Sequence, residues 1–251
     1  MCGIAGAAIY DADLARLDDL IAVVDASARR GEDAFGVVRW SPSEGFRRFA
    51  CHRRGGRDWL SEVGGPHPGE VTLYVHTSRA EPTTEWRAEK MDVDIPPFVD
   101  HGIAVAHNGI IANDLILAQQ FDLQRHSHID TAILPALVAR LGVWKAITEL
   151  RGGAALAIVD SRSQSLILCR NFMPLVASWE PGIVTFASET GFFPNAEQPF
   201  HERRLWEMPP FTSLEITGRG YRGPFEWGHV PNLPDDDAWT PYPALCWRRD
   251  G

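Results

Sequence analysis

The sequence predicts an α+β domain in which antiparallel sheets stack on one another under a cover of helices. Three observations carry that expectation. The elements run strands, helix, strands, helices, strands, which does not fit repeated βαβ units with a parallel sheet. Strand candidates recur at both ends of the chain, so contacts must run from one end to the other. The chain has 251 residues, 45% hydrophobic and 23% charged, enough to bury a sizeable core and too apolar for wholesale disorder.

Each element follows from its pattern. Residues 1–10, MCGIAGAAIY, read as a buried strand carrying Gly3 and Gly6, as strands do where another backbone approaches closely. Leu14, Leu17, Leu20, Ile21 and Val24 recur at helical spacing, with Asp11 or Asp13 as the cap and Gly31 as the C-terminal stop. Residues 35–40 and 46–52 read as paired strands, and 71–76 alternates as a third. Residues 81–100, with Pro82, Pro96 and Pro97, read as a long loop. A short buried strand at 103–106 leads into His107-Asn108-Gly109. Helices are expected over 111–121, from Ile129 to Leu141, and over 143–150. Strands follow at 154–159, 166–169, 175–179, 183–187 and 211–216. The domain is drawn over residues 1–218. Residues 219–251 form an extension with Pro224, Pro231, Pro234, Pro241 and Pro243, an Asp235–Asp237 run, and Trp227, Trp239 and Trp247. It is either an irregular wrap on the domain or a docking segment for a partner.

Composition narrows function. There is no apolar run of about 18 residues, so no membrane partner is expected. No signal peptide opens the chain, so the expected location is the cytoplasm. A net charge of −9, from 33 acidic and 24 basic residues, argues against nucleic acid as a partner. Cys2, Cys51, Cys169 and Cys246 form no Cys-x-x-Cys pair and read as free thiols, with Cys51 and Cys169 buried. His126-Ser127-His128 lacks a clear third ligand, so no metal is expected.

Cys2 is the first residue with chemistry to offer. Removing Met1 would give it both a thiol and a free α-amine of pKa about 7.7–8.0, a nucleophile with its own general base. A Met-Cys start alone is weak evidence. Six further segments change that: Arg30-Gly31-Glu32-Asp33-Ala34-Phe35-Gly36, His76-Thr77-Ser78-Arg79-Ala80, His107-Asn108-Gly109, Ile129-Asp130-Thr131, Arg170-Asn171-Phe172-Met173-Pro174-Leu175 and Phe186-Ala187-Ser188-Glu189. Together with Met1–Gly6, and in this order, they resemble the motifs of class II glutamine amidotransferases, which are N-terminal-nucleophile hydrolases. Two departures stand out. Arg79 lies three residues after His76 where the common pattern has two, and the Arg170 segment is a shortened Arg-Asp…Pro-Leu.

The resemblance implies a four-layer αββα sandwich and hydrolysis of L-glutamine to glutamate and ammonia through a Cys2 thioester. It assigns Asn108 and Gly109 to the oxyanion, Arg79 to the substrate carboxylate, Asp130 to its ammonium, and Arg30 to bracing the site or the N-terminus. Left to themselves, Asn108-Gly109 would be a hairpin turn, Asp130 a helix cap and Arg79 an exposed strand-end cation. His76 and His107 are expected to be structural. No cofactor is implied. The residues after the last motif leave no room for a synthase domain, so the acceptor of the ammonia is expected on a separate subunit. The alternatives are another N-terminal-cysteine amide hydrolase such as an acylase, an inactive relative acting as a binding module, and an assembly protein built around the Trp-rich tail.

Overall fold

The computed structural model describes residues 2–52, 58–80, 92–194, 196–197 and 204–227. The chain runs β1 (Gly3–Ile9), α1 (Leu17–Ala28), β2 (Ala34–Ser41), β3 (Gly45–His52), α2 (Trp59–Val63) and β4 (Thr72–Arg79). It continues through β5 (Phe98–Asp100), β6 (Ile103–Gly109), α3 (Asp114–Gln120), a 3-10 turn at Asp130–Ile133, α4 (Leu134–Leu141) and α5 (Val143–Glu149). It ends with β7 (Ala154–Asp160), β8 (Ser165–Arg170), β9 (Val176–Glu180), β10 (Ile183–Ala187), β11 (Leu205–Glu207), β12 (Thr212–Thr217) and β13 (Gly220–Glu226).

Among the described residues these strands make two antiparallel sheets. One is ordered β11-β9-β10-β1-β4-β2-β3 and the other β13-β12-β8-β7-β6-β5. Side-chain alternation sorts each strand between two cores. Ile4, Ala8, Val38, Leu73 and Val75 of the first sheet meet Ala104, Ala106, Ala157 and Leu168 of the second. On the outer face of the first sheet, Ala5, Ala7, Val37 and Tyr74 pack under Leu20, Val23 and Val24 of α1 and Trp59 of α2. On the outer face of the second, Ile103, Val105, Leu156 and Ile158 pack under α3, α4 and α5 through Leu117, Leu137, Val138 and Ile147. The layers are therefore helix, sheet, sheet, helix. β1 is buried at every position because it is central in its sheet and covered on both faces.

Several local expectations need correction. α1 starts at Leu17 without a side-chain cap. Asp11 instead accepts from the Asp13 and Leu14 amides at 3.1 and 3.3 Å, shaping a turn ahead of the helix. Gly31 does not stop the helix in a left-handed conformation. It is glycine because a Cβ there would lie 2.6 Å from the Arg79 backbone. Within the segment read as a loop, 98–100 is the edge strand β5, and 81–91 lies outside the described residues. Cys169 is buried, which pushes its thiol up to about 12, whereas Cys51 is only half-buried.

The extension drawn from residue 219 begins with structure. β13 pairs with β12 from Thr217↔Gly220 to Thr212↔Glu226, so a cut after Gly218 removes an edge strand. Trp227 packs partly buried against the core under α3–α5. The rest of that segment, with Trp239, Trp247 and Cys246, lies outside the described residues. No described helix is long and apolar enough to cross a membrane.

Candidate active site

The β1–β4 register is Gly3↔Ser78 and Ile4↔Thr77. Continued by one residue, it sets Cys2 opposite Arg79. Alternation carries Cys2 onto the face of Ile4 and Ala8, and Arg79 onto that of Leu73 and Val75, both facing the second sheet. On that sheet Asn108 shares its face with Ala104 and Ala106.

The two strand ends meet at one end of the sandwich, and a proline pair shows how. A Cβ on Gly36 would lie 2.0 Å from the Pro96 carbonyl, and Gly36 pairs with Thr77. Pro97 directly precedes β5, whose Phe98 pairs with Val105. β6 also packs against β1 and β4 across the interface. Residues 77–79 and 106–108 thus lie at the same end of the inter-sheet space, with the half-buried, free thiol of Cys2.

Asn108 and Gly109 are not a hairpin turn. They are the last residues of β6, paired with Ala155 and Ala154. Asn108 is 2% exposed and its Nδ2 has no hydrogen-bond partner among the described residues. A buried amide group left unpaired is costly and native proteins rarely keep one. Gly109 has φ +136°, and a Cβ on it would lie 1.9 Å from the Gly153 carbonyl. The adjoining segment is a mould for this exit: the Ile110 amide donates to Gly153 O at 2.8 Å and the Ala112 amide to Arg151 O at 2.8 Å.

Asn171 holds that mould. Its Oδ1 accepts from the Ala154 amide at 2.7 Å and its Nδ2 donates to Gly152 O at 2.8 Å. In the sequence Asn171 stands out only as part of a motif. Its task was not legible because its bonds reach a segment 17–19 residues away.

Asp130 reaches the same place from the helical layer. Its Oδ2 accepts from the Ile111 amide at 2.7 Å, two residues beyond Gly109. Its Oδ1 accepts from the Thr131 amide at 2.7 Å and the Thr131 hydroxyl at 3.0 Å. Because that hydroxyl donates to Asp130, it accepts from His107 Nδ1, 2.8 Å away. Burial pushes His107 below its ordinary pKa, against the pull of the Asp130 carboxylate. A carboxylate offers about four lone-pair sites, so this one keeps capacity for another donor. Asp130 opens the 3-10 turn and is not the N-cap, which falls on Ile129.

The N-terminal end of β1 is clamped by Ser188. The Ile4 amide donates to Ser188 Oγ at 2.9 Å, and the Ser188 amide donates to Ile4 O at 2.9 Å. Arg30 forms an ion pair with Glu189, the next residue. Gly31 packs on the Arg79 backbone, and the Asp33 amide donates to Arg79 O at 3.0 Å. The Arg30–Asp33 motif therefore braces two strand ends at once.

His76 points to the opposite face of β4. Its Nδ1 lies 2.8 Å from Gly36 O and its ring packs 4.5 Å from that of Phe35. Burial pushes its pKa down to about 4. The unfolded chain takes that proton near pH 6.5. Its neutral burial is therefore fully compatible with the fold above about pH 6.5, and stability is lost as pH falls from there toward 4. The loss expected from this one group is about 3 kcal/mol. Denaturant melts between pH 7 and 4 are expected to show a shallower fall for His76→Gln than for wild type. Identical slopes would mean that carboxylates alone set the acid limit.

The comparisons with known proteins agree with this architecture. The fold is shared with glutamine phosphoribosylpyrophosphate amidotransferase from B. subtilis, at a TM-score of 0.66 and 19% identity over 88% of this chain and 48% of that one. Residues 87–195 match the family described as the glutamine amidotransferase domain. The chain carries a glutamine amidotransferase domain of class II, on the N-terminal-nucleophile hydrolase fold. It is 30% identical to the 7-cyano-7-deazaguanine synthase of Saccharolobus solfataricus over 241 residues, 86% of this chain and 48% of that protein. It is 29% identical to glutamine–fructose-6-phosphate aminotransferase of Escherichia coli over 202 residues, 75% of this chain and 32% of that one. The chain spans about half the length, or less, of the curated relatives it matches.

Proposed function

We propose that this domain hydrolyses L-glutamine to glutamate and ammonia, with Cys2 as nucleophile. The observation that carries the reading is the buried Asn108 Nδ2, without a partner among the described residues, at the end of the inter-sheet space shared by Cys2 and Arg79. Attack of the thiolate on the γ-amide carbon turns its carbonyl into an oxyanion. Asn108 Nδ2 and the Gly109 amide are donors for that charge, fixed before the reaction begins. Arg79 supplies a bidentate cation for the α-carboxylate, and Asp130 accepts from the α-ammonium with its remaining lone pair. The freed Cys2 amine takes the thiol proton and returns it to the leaving nitrogen. Water then attacks the γ-glutamyl thioester, releasing glutamate and regenerating the thiol. Arg30 acts at a distance, by holding Glu189 beside the Ser188 clamp.

The ammonia is made for an acceptor, which we place on a separate synthase subunit. Two of the matched relatives are named a synthase and an aminotransferase, names that imply an acceptor for the nitrogen. The decisive experiment compares two forms of the protein, distinguished by intact mass. Chain with Met1 removed is expected to release glutamate from L-glutamine. Chain with Met1 retained, whose Cys2 nitrogen is an amide and no base, is expected to release none. Equal rates would overturn the amine-base mechanism. An inactive processed chain would favour the binding-module reading.

A further inference from the structure

A second buried polar atom at this end of the sandwich has no partner among the described residues: the hydroxyl of Thr77, 1% exposed. Its placement follows from the spacing that sets this chain apart. Residues an even number apart on a strand share a face and those an odd number apart do not. The common pattern puts its histidine two residues before the arginine, on the arginine's face. Here the offset is three, so His76 turns to the outer face, against Phe35 and Gly36 O. Thr77, two residues before Arg79, takes the place on the inner face. It pairs with Ile4, one step inward from Cys2.

We propose that Thr77 is a further residue of the glutamine site, its hydroxyl accepting a hydrogen bond from the γ-amide nitrogen that leaves as ammonia. The inference rests on the glutaminase reading above and deepens it. Thr77 and Asn108 come from facing, packed strands at the same end of the sandwich and are both closed to solvent, which places them to bond one ligand between the sheets. The γ-amide has two ends to satisfy in such a dry site. Its carbonyl meets the Asn108 and Gly109 donors, and its NH2 needs an acceptor. A threonine hydroxyl can accept there, whereas Asn108 Nδ2 and the Arg79 guanidinium can only donate. An unpaired buried hydroxyl costs stability until something bonds to it, which accounts for a threonine where a valine would pack as well.

The test uses two substrates, L-glutamine and glutamate γ-methyl ester. The ester presents the same carbonyl, but its leaving oxygen carries no hydrogen. Thr77→Val is expected to lower kcat/KM for glutamine roughly tenfold, the worth of one hydrogen bond, and to leave the ester rate little changed. Thr77→Ser is expected to restore glutamine turnover. The melting temperature of Thr77→Val is expected to be no lower than that of wild type, because the hydroxyl it loses has no partner among the described residues. Equal losses on both substrates would overturn the proposal in favour of a packing role. An unchanged glutamine rate would overturn it too, leaving the hydroxyl to bond a trapped water. Wild-type protein inactive on both substrates would instead overturn the glutaminase reading, and Thr77's assignment with it.

Discussion

Cys2→Ala is expected to abolish glutamate release from processed protein while leaving the fold unchanged. The two halves of that expectation come from different parts of the molecule. Chemically, no other thiol among the described residues can substitute: Cys169 is sealed under the helices of the second sheet and its pKa is pushed up to about 12, and Cys51 sits on β3, at the far edge of the first sheet. Structurally, β1 is held by Ile4 and the residues after it, through the Ser188 clamp and two ladders. Cys2 precedes the strand and is only half-buried. A substitution of that kind is expected to shift stability by no more than about 0.5 kcal/mol. Coupled glutamate detection and a thermal melt check both halves. Turnover that survives in Cys2→Ala would remove Cys2 from the mechanism.

Asn108→Ala is expected to lower kcat by about 10²–10³-fold with little change in KM, the signature of a donor used only in the transition state. Gly109→Ala reaches the same step by another route. Its Cβ would collide with Gly153 O, and φ +136° is a conformation that L-residues avoid. The Gly109 amide must move, and with it the second donor. A larger loss is therefore expected than for Asn108→Ala, accompanied by a fall in melting temperature that Asn108→Ala does not share. Steady-state kinetics on both variants separate the cases. A pure KM effect for Asn108→Ala would mean that its amide binds the ground state and does not meet the oxyanion.

What sequence could reveal here depended on how local the cause was. β1 and the helices from Leu134 to Glu149 were readable because their apolar patterns are contiguous. The motif segments stand out because each is contiguous in sequence. Three kinds of feature were not. Strand β13 carries Gly223 and Pro224, which interrupt any alternation, and exists because β12 offers it an edge. Gly31 is glycine for the sake of Arg79, 48 positions away, and nothing beside it in sequence says so. Thr77 and His76 differ by one position and lie on opposite faces, a matter of register that only the pairing of β4 with β1 and β2 decides. Asp130 combined both difficulties: its position at the start of a helical segment was evident, but its hold on Ile111 spans 19 residues and had no local trace.

The central place of β1 also orders events at the ribosome. Its two neighbours are β4, some 70 residues later, and β10, which begins at Ile183. At about 5–20 residues per second, roughly 10 to 35 seconds pass between the emergence of Cys2 and that of β10. Throughout that interval the segment that becomes β1 has no complete sheet to enter. The Ser188 clamp can close only afterwards. The α-amine that the proposed mechanism requires can thus be freed before the strand behind it is buried, an order set by topology alone.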